Sequence, residues 1–117
     1  MKYLLDTCVL SELVKSEPDA HVLQWVKARK PLELCISAMT WGELQRGVTR
    51  LPKSRRRAEL TVWLQQLEAG FEDRILAFDS IIAATARAHD CTLVTSNISD
   101  FINAGIDVLN PWQIDLD

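Results

Sequence analysis

The chain has 117 residues, of which 48% are hydrophobic and 25% charged, with four glycines and four prolines. These values are close to those of ordinary globular domains, and they exclude a disordered, collagen-like or low-complexity chain. The net charge of −3 has the wrong sign for binding nucleic acid through overall charge, so any such contact must be local. We expect one domain, because a chain of this length buries roughly two thirds of its unfolded surface in a single core.

The sequence gives no indication of a membrane span or a disulfide framework. No apolar run approaches the ~20 residues that a membrane span needs, and Asp6 interrupts the apolar run near the amino terminus. We therefore expect a cytoplasmic protein without a signal peptide. Cys8, Cys35 and Cys91 are odd in number and widely spread, which indicates small buried residues rather than metal ligands or disulfides.

Strand-like and helix-like segments alternate along the chain. The predicted strands are 2–5, 32–37, 74–78, 92–95 and 108–109. The predicted helices are 9–14, a segment capped by Asp19, 40–51, a segment from 53 or 54 to 70, 81–89, and a short turn or helix around 99–102. This alternation predicts an α/β domain with a mostly parallel sheet of four or five strands flanked by helices.

Polar residues mark several of the predicted helix starts. Asp6 and Thr7 form a polar corner between the first strand and the first helix. Thr40 is predicted to cap the helix after the second strand, and Glu43 three residues later would complete a capping box. The longest predicted helix begins at Lys53 or Ser54 and has an apolar face of Leu60, Trp63, Leu64 and Leu67.

Four acidic residues lie at or near the carboxyl ends of predicted strands: Asp6, Glu43, Asp79 and Asp100. In an open parallel sheet these ends form the crevice where ligands bind, so the four acids are predicted to meet there. Each acid alone also has a structural interpretation. The three aspartates are able to cap helices, and the glutamate to complete the capping box.

A cluster of carboxylates has a physical requirement. Two carboxylates about 5 Å apart repel by roughly 3 kcal/mol at an effective dielectric constant near 20, so the cluster needs a cation or raised pKa values. An all-oxygen site without His or Cys suits Mg²⁺ or Mn²⁺ better than Zn²⁺. Such a site predicts phosphodiester hydrolysis, in which one ion activates water and a second, if present, stabilises the leaving oxygen.

Neutral polar residues lie at the same strand ends. Thr7, Thr95 and Asn97 are placed to orient the carboxylates or to contact a phosphate, and as turn formers they have an equally simple structural interpretation. His21 and His89 fall on predicted helices away from the strand ends, so we assign neither of them a catalytic role.

Basic residues concentrate around the start of the longest predicted helix. A solvated helix start is one interpretation, and contact with a phosphate backbone or an acidic partner is the other. Because the net charge is negative, this group is the best candidate for a nucleic-acid contact outside the metal site. The candidate contact residues are Arg46, Arg50, Lys53, Arg55, Arg56 and Arg57.

Four segments together resemble the ordered motifs of PIN-domain ribonucleases: Tyr3–Glu12, Trp41–Gly47, Asp79–Ala86 and Leu93–Phe101. The resemblance is closest to the VapC and FitB-like toxins of prokaryotic toxin–antitoxin pairs. It extends over nearly the whole chain, and four motifs in the right order make it specific.

The resemblance implies a metal-dependent endoribonuclease that uses Mg²⁺ or Mn²⁺ and forms a homodimer. Its acids would be Asp6, Glu43, Asp79 and Asp100, although some relatives place the fourth carboxylate at the position of Asn97. The resemblance also implies a cognate antitoxin with a DNA-binding domain. Such an antitoxin pushes a carboxyl-terminal segment, often with an Arg, into the acidic groove of the toxin.

The sequence departs from the family pattern near Asp79. In similar proteins a further helix separates the third strand from the helix that begins with the third acid, whereas here both motifs share Asp79. Either this protein has lost that helix, or residues are missing from the sequence at this point. A loss would leave an apolar surface that dimerisation or strand exchange would cover.

Two alternatives to a ribonuclease remain. The first is a PIN-like module that binds RNA or protein without cutting, which the missing helix makes credible. The second is a phosphoacceptor domain of the receiver type, but Asn110 and Pro111 stand where that domain would carry a Lys.

Overall fold

The computed structural model describes residues 2–71, 74–76 and 82–114. The strands are β1 (Lys2–Leu5), β2 (Leu34–Ser37), β3 (Ile75–Leu76), β4 (Cys91–Val94) and β5 (Val108–Leu109). The helices are α1 (Thr7–Leu13), α2 (Ala20–Lys27), α3 (Ala38–Thr49), α4 (Arg55–Gly70), α5 (Ile82–Ala88) and α6 (Ile98–Phe101). Short 3-10 turns cover Pro31–Glu33 and Pro111–Gln113.

The strands form one sheet in the order β3-β2-β1-β4-β5, and every described pairing is parallel. The predicted α/β fold is therefore confirmed. In sequence order, β2 and β3 are added on one side of β1, and β4 and β5 are then added on its other side. The strand order thus reverses between β1 and β4, and in open α/β sheets the ligand crevice lies at the carboxyl ends of the strands at this point.

The core lies on both faces of the central strand. In β1 only Lys2 is exposed, while the next three residues are buried, as expected for a parallel strand covered on both sides. One cluster, which includes Leu5, Val9 and Ile36, packs beneath α1 and α2. The other includes Leu4 and Leu93 and packs against α5. The rigid sheet gives the loops at its carboxyl edge a fixed base.

The start of the second predicted strand is wrong. Leu32 lies in the 3-10 turn and is 79% exposed, so the strand begins only at Leu34. Pro31 favours the turn because its ring fixes φ near the helical value. The turn is closed by the backbone N–H of Lys30, which donates to Glu33 Oε1 at 2.9 Å.

The predicted cap of α3 is also wrong. Ser37 is the N-cap, and its hydroxyl accepts a hydrogen bond of 3.0 Å from the backbone N–H of Thr40. Thr40 is the buried third residue of the helix rather than its cap. Glu43 consequently has no place in a capping box, and its carboxylate is available for other contacts.

Three other caps agree with the sequence analysis. Asp6 is the N-cap of α1, because its carboxylate accepts from the backbone N–H of Thr7 at 2.8 Å. The carboxylate of Asp19 accepts from the first turn of α2 at 2.9 and 3.2 Å, and Ser54 caps α4 at 3.1 Å. Asp100 is no cap, because it lies inside α6 and Asn97 precedes that helix. Three predictions concern residues 77–81, which lie outside the described residues. They are the cap at Asp79, the end of the predicted third strand and the start of the predicted helix 81–89.

Candidate active site

Asp6 lies at the carboxyl end of β1, where the strand order reverses, and both of its carboxylate oxygens have donors. Oδ1 accepts from the backbone N–H of Thr7 at 2.8 Å, and Oδ2 accepts from the hydroxyl of Thr95 at 2.8 Å. The backbone N–H of Asp6 itself donates to the carbonyl of Val94 at 3.0 Å. The orientation of this carboxylate is therefore set by the ends of two neighbouring strands.

Thr95 is completely buried directly after β4, and its hydroxyl links two parts of the site. The hydroxyl donates to Asp6 and accepts a 3.1 Å hydrogen bond from the backbone N–H of Asn97. The Asn97 side chain makes no cap bond to α6. Thr95 therefore orients the Asp6 carboxylate from the interior of the protein, while Asn97 is exposed at the same edge of the sheet.

Glu43 reaches the same edge from α3. Its Oε2 accepts a hydrogen bond of 3.3 Å from the Thr7 hydroxyl, so Thr7 contacts Asp6 through its backbone and Glu43 through its side chain. Two acids that are far apart in sequence are thereby brought to one edge of the sheet. Carboxylate and hydroxyl oxygens are the hard ligands that Mg²⁺ and Mn²⁺ prefer.

The described part of the structure does not bring the other two predicted acids, Asp79 and Asp100, next to Asp6 and Glu43. Asp79 lies outside the described residues. Asp100 is exposed on α6, and its backbone N–H donates to the Asn97 carbonyl at 3.1 Å. Within residues 2–71, 74–76 and 82–114, no group of three His, Cys, Asp or Glu side chains is arranged to hold a metal. The four-acid site remains a prediction.

Cys8 belongs to this edge, which the sequence analysis missed. Its thiol lies 3.8 Å from Asp6 Oδ2, 3.5 Å from the Thr95 hydroxyl and 3.6 Å from the Ser96 hydroxyl. The side chain is half-buried rather than part of the core. The available signal was position, because a residue two places after Asp6 falls in the first turn of α1.

The other two cysteines are buried as expected. Cys35 and Cys91 lie with their sulfur atoms 3.8 Å apart on the face of the sheet away from Cys8. Burial and the neighbouring Cys91 raise the pKa of the Cys35 thiol to about 12. The pKa of Cys91 is also raised by burial. Both thiols therefore remain protonated at neutral pH.

A groove of about 340 Å³ begins at this acidic edge and runs between α1, α3 and α4. Thr7 and Glu43 line the end next to Asp6, and the remaining wall is largely apolar. Part of the predicted apolar face of α4 contributes to it. The apolar lining residues are Val14, Leu44, Val48, Leu51, Leu60 and Trp63.

The candidate basic contacts fall into two groups. Arg55 pairs with Glu59 at 3.3 Å, while the guanidiniums of Arg56 and Arg57 donate to the backbone carbonyls of Val14 and Leu51 at 2.6 and 3.3 Å. These three side chains stabilise the start of α4. The second group is exposed and has no ion pair with any described residue; it consists of Arg46, Arg50 and Lys53.

Glu12 is a buried acid that lies away from the site. It is 8% exposed and accepts hydrogen bonds from Lys15 Nζ at 2.8 Å and from the backbone N–H of Asp19 at 3.0 Å. The hydrogen bond from Lys15, followed by that from Asp19, lowers the pKa of Glu12. Its role is to hold the segment between α1 and α2.

The chain matches a known family model and several known proteins over most of its length. Residues 3–72 match the model described as the PIN domain. The chain is 34% identical to VapC ribonuclease Y4jK of Sinorhizobium fredii, with 94% of this chain and 97% of the relative aligned. It is 30% identical to Toxin FitB of Neisseria gonorrhoeae, with 94% and 98% aligned.

The alignment with Y4jK extends over 139 residues, which exceeds the length of this chain. The relative therefore carries residues, within the aligned region, that have no counterpart here. The alignment with FitB, at 136 residues, leads to the same conclusion.

Solved structures show the same architecture. FitAcB from Neisseria gonorrhoeae superposes with a TM-score of 0.90 at 30% identity, covering 96% of this chain and 99% of that chain. FitAB bound to an IR36 DNA fragment superposes with a TM-score of 0.91 at 28% identity, covering 97% of each. No described helix is long and apolar enough to cross a membrane. On its sequence match and its fold, the chain belongs to the PIN-domain family.

Proposed function

We propose that this chain is a Mg²⁺- or Mn²⁺-dependent endoribonuclease that acts as the toxin of a toxin–antitoxin pair. The observation that carries the proposal is the meeting of Asp6 and Glu43 around Thr7 at the point where the strand order reverses. Relatives named VapC ribonuclease and Toxin FitB support the same assignment. We also propose that the protein acts in the cytoplasm, where an RNA substrate would be available.

The described donors fit a hard divalent ion. Asp6 and Glu43 offer carboxylate oxygens, and we assign Asp79 and Asp100 as the further acids of the set. Asp6 Oδ1 accepts one hydrogen bond, from the backbone N–H of Thr7, and retains a lone pair for an ion, while Oδ2 accepts from the Thr95 hydroxyl and from the Cys8 thiol. When bound, such an ion activates water and neutralises charge on the phosphate.

The protein residues contribute orientation. Thr95 and Thr7 hold the two carboxylates before the substrate arrives, so that little reorganisation is needed during the reaction. Arg46, Arg50 and Lys53 are exposed and are not used by described ion pairs. We assign them to the RNA backbone, where each phosphate offers a negative charge.

Regulation would come from an antitoxin with a DNA-binding domain. The solved FitAB complex carries DNA, which supports a partner of this kind for the present chain. The groove that starts at Glu43 is the surface to which we assign the antitoxin segment, with a cationic side chain at its acidic end. We also propose that the toxin is a homodimer.

We further propose a single domain that has lost one helix near Asp79. The alignments with relatives are longer than this chain, which supports a loss, although they do not locate it. The same observation favours one second candidate, a PIN-like module that binds RNA or its partner without cleavage.

Cleavage of single-stranded RNA with Mn²⁺ and with EDTA separates the two candidates. We expect Mn²⁺-dependent internal cleavage by the wild type and none by Asp6→Asn. The control Asp107→Asn changes an exposed aspartate away from the site and should cleave normally. RNA that stays intact with Mn²⁺ or Mg²⁺ at stoichiometric protein would favour the binding module. Equal cleavage by Asp6→Asn would remove Asp6 from the mechanism.

A further inference from the structure

Two buried thiols meet on the face of the sheet that packs against α5. Cys35 lies in β2 and Cys91 begins β4, and their sulfur atoms are 3.8 Å apart. The two residues are 4% and 6% exposed, and the other buried members of the cluster are Leu4, Ala86 and Leu93. The sequence analysis placed both cysteines in the core, and the structure adds the contact between their sulfur atoms.

This pair is not placed to form a disulfide in the folded protein. Cys35 pairs with Leu4 and Cys91 pairs with Lys2, so β1 runs between the two strands that carry the thiols. Strands that flank a third strand lie roughly 9–10 Å apart, whereas a disulfide needs Cα atoms within about 7 Å of each other. Oxidation to a disulfide would therefore require the sheet to open. A ligand that lies between the two sulfur atoms has no such requirement.

Backbone oxygens are the polar neighbours of the two sulfur atoms. The Cys35 thiol donates to the carbonyl of Tyr3 at 3.4 Å, and the Cys91 thiol donates to the carbonyl of His89 at 3.6 Å. The single proton of each thiol thus has an acceptor of its own. If both protons were displaced, each thiolate sulfur would retain a carbonyl oxygen beside it.

The distances among these atoms match the edges of a tetrahedral metal site. Zn²⁺ binds sulfur at about 2.3 Å and oxygen at about 2.1 Å, so tetrahedral angles place two sulfur ligands about 3.8 Å apart and sulfur and oxygen ligands about 3.6 Å apart. The sulfur–sulfur distance of 3.8 Å and the sulfur–oxygen distances of 3.4 and 3.6 Å agree with these values to within about 0.2 Å.

The charge balance favours a divalent ion. Both thiols are protonated at neutral pH, so a divalent cation must displace two protons to form two metal–sulfur bonds. The two protons leave to solvent, and the resulting group has no net charge. A neutral group suits this apolar cluster, because burial of an uncompensated charge there would be costly.

We propose that Cys35 and Cys91 form a binding site for a thiophilic divalent ion such as Zn²⁺ or Cd²⁺. The site is separate from the acidic edge, because four residues lie between Cys91 and the position of Thr95, or about 13 Å at 3.3 Å per residue. A bound ion would join β2 to β4 across β1 and thereby stabilise the centre of the sheet. The proposal does not depend on the ribonuclease assignment.

Titration of the whole, reduced protein with Cd²⁺ tests the site, because a cadmium–thiolate bond absorbs in the ultraviolet and a cadmium–carboxylate bond does not. All proteins in the test carry Cys8→Ala, which removes the third thiol. We expect one such ion per chain, with the absorption of two thiolates and the release of two protons. Cys35→Ser should reduce the absorption to that of one thiolate or less and weaken binding by about a hundredfold or more.

Thermal unfolding gives a second measurement. Because the ion binds the folded sheet, free Cd²⁺ at about a hundredfold above its dissociation constant should raise the unfolding midpoint by about 5–10 °C. Cys91→Ser should lose this increase, and circular dichroism without metal checks that the variant is folded. Asp6→Asn is the matched control at the other edge of the sheet, and it should retain the thiolate absorption of its Cys8→Ala parent.

Four results would overturn the proposal. They are absorption from fewer than two thiolates in the Cys8→Ala protein, unchanged absorption in Cys35→Ser, an unfolding midpoint that Cd²⁺ does not raise, and loss of the absorption in Asp6→Asn. The first result requires no substitution in the pair itself, so a variant that fails to fold leaves the proposal open to refutation. None of these measurements depends on RNA cleavage.

Discussion

The hydroxyl of Thr95 donates a hydrogen bond of 2.8 Å to Asp6 Oδ2 across 89 positions of sequence. Thr95 is completely buried, so its hydroxyl cannot exchange this partner for bulk water. The carboxylate is consequently held in one orientation. Loss of the hydrogen bond from Thr95 should therefore weaken metal binding more than it weakens the fold.

Thr95→Val should therefore weaken Mn²⁺ binding or activity by about 10- to 100-fold, the usual effect of removing a group that orients a metal ligand. The measurement is cleavage rate as a function of Mn²⁺ concentration. Thr95→Ser retains the hydroxyl and should restore most of the activity. If valine and serine behaved alike, the hydrogen bond would have no part in positioning Asp6.

Cys8 gives an independent test of the metal position. With Cys35 and Cys91 buried and protonated, a maleimide at neutral pH should label one thiol of the native protein and three after unfolding. Since the Cys8 sulfur lies 3.8 Å from Asp6 Oδ2, Mn²⁺ should slow its labelling.

Mass spectrometry after proteolysis identifies the labelled residue, and Cys8→Ala is the control that should show no native labelling. Protection that persists in Asp6→Asn would mean that the ion binds elsewhere.

Glu12 predicts a pH dependence of stability. Its pKa is lowered in the folded protein, so the ionised form stabilises the fold above its unfolded value near 4.5, and this contribution is lost as pH falls through the lowered folded value. The difference in unfolding free energy between the wild type and Glu12→Gln should shrink as pH falls below that range.

Urea unfolding at several pH values measures this difference. The exposed Glu68→Gln is the control and should show little change. A difference that stays constant with pH would contradict the assignment.

Gly105 should be intolerant of substitution. Its φ is +72°, in the left-handed region, and an added Cβ would lie 3.2 Å from the guanidinium of Arg87, which donates to the Ala104 carbonyl. We expect Gly105→Ala to destabilise the protein by about 1–2 kcal/mol. Gly70→Ala is placed in a helix with open space and should be neutral or stabilising. Equal urea midpoints for the two variants would refute this explanation.

Peptide mass tests the proposed loss of a helix near Asp79. Trypsin cleaves after Arg74 and Arg87, so protein expressed from the gene should give a peptide 75–87 with the mass calculated from this sequence. Absence of that peptide, with additional peptides between the two arginines, would show that the protein contains residues that this sequence lacks.

The alternation of strand and helix patterns was sufficient to predict the parallel sheet and the placement of Asp6. Strand ends are easier to locate than helix starts, because the burial pattern of β1 is unambiguous while Ser37 and Thr40 are both good caps. β2 ends at Ser37, as predicted, and Pro31 affects only its start. Ser37 caps α3 because the helix begins at Ala38, two residues before its predicted start, and this earlier start removes the capping-box interpretation of Glu43.

Contacts that need three helices or strands to pack together could not be predicted from the sequence. Cys8 was interpreted by residue type alone, and its proximity to Asp6 became visible only when β1, α1 and Thr95 were placed together. The groove depends on how α4 packs against α1 and α3, which no periodicity specifies.

The pairing of β1 with β4 has a consequence for synthesis. A nascent chain that has not yet reached Cys91 lacks both a neighbour for one side of its central strand and the hydroxyl that holds Asp6. Unfinished polypeptides therefore cannot assemble this edge, and a premature stop anywhere before β4 should yield a harmless product. The host cell is exposed to an assembled edge only after synthesis has passed Thr95.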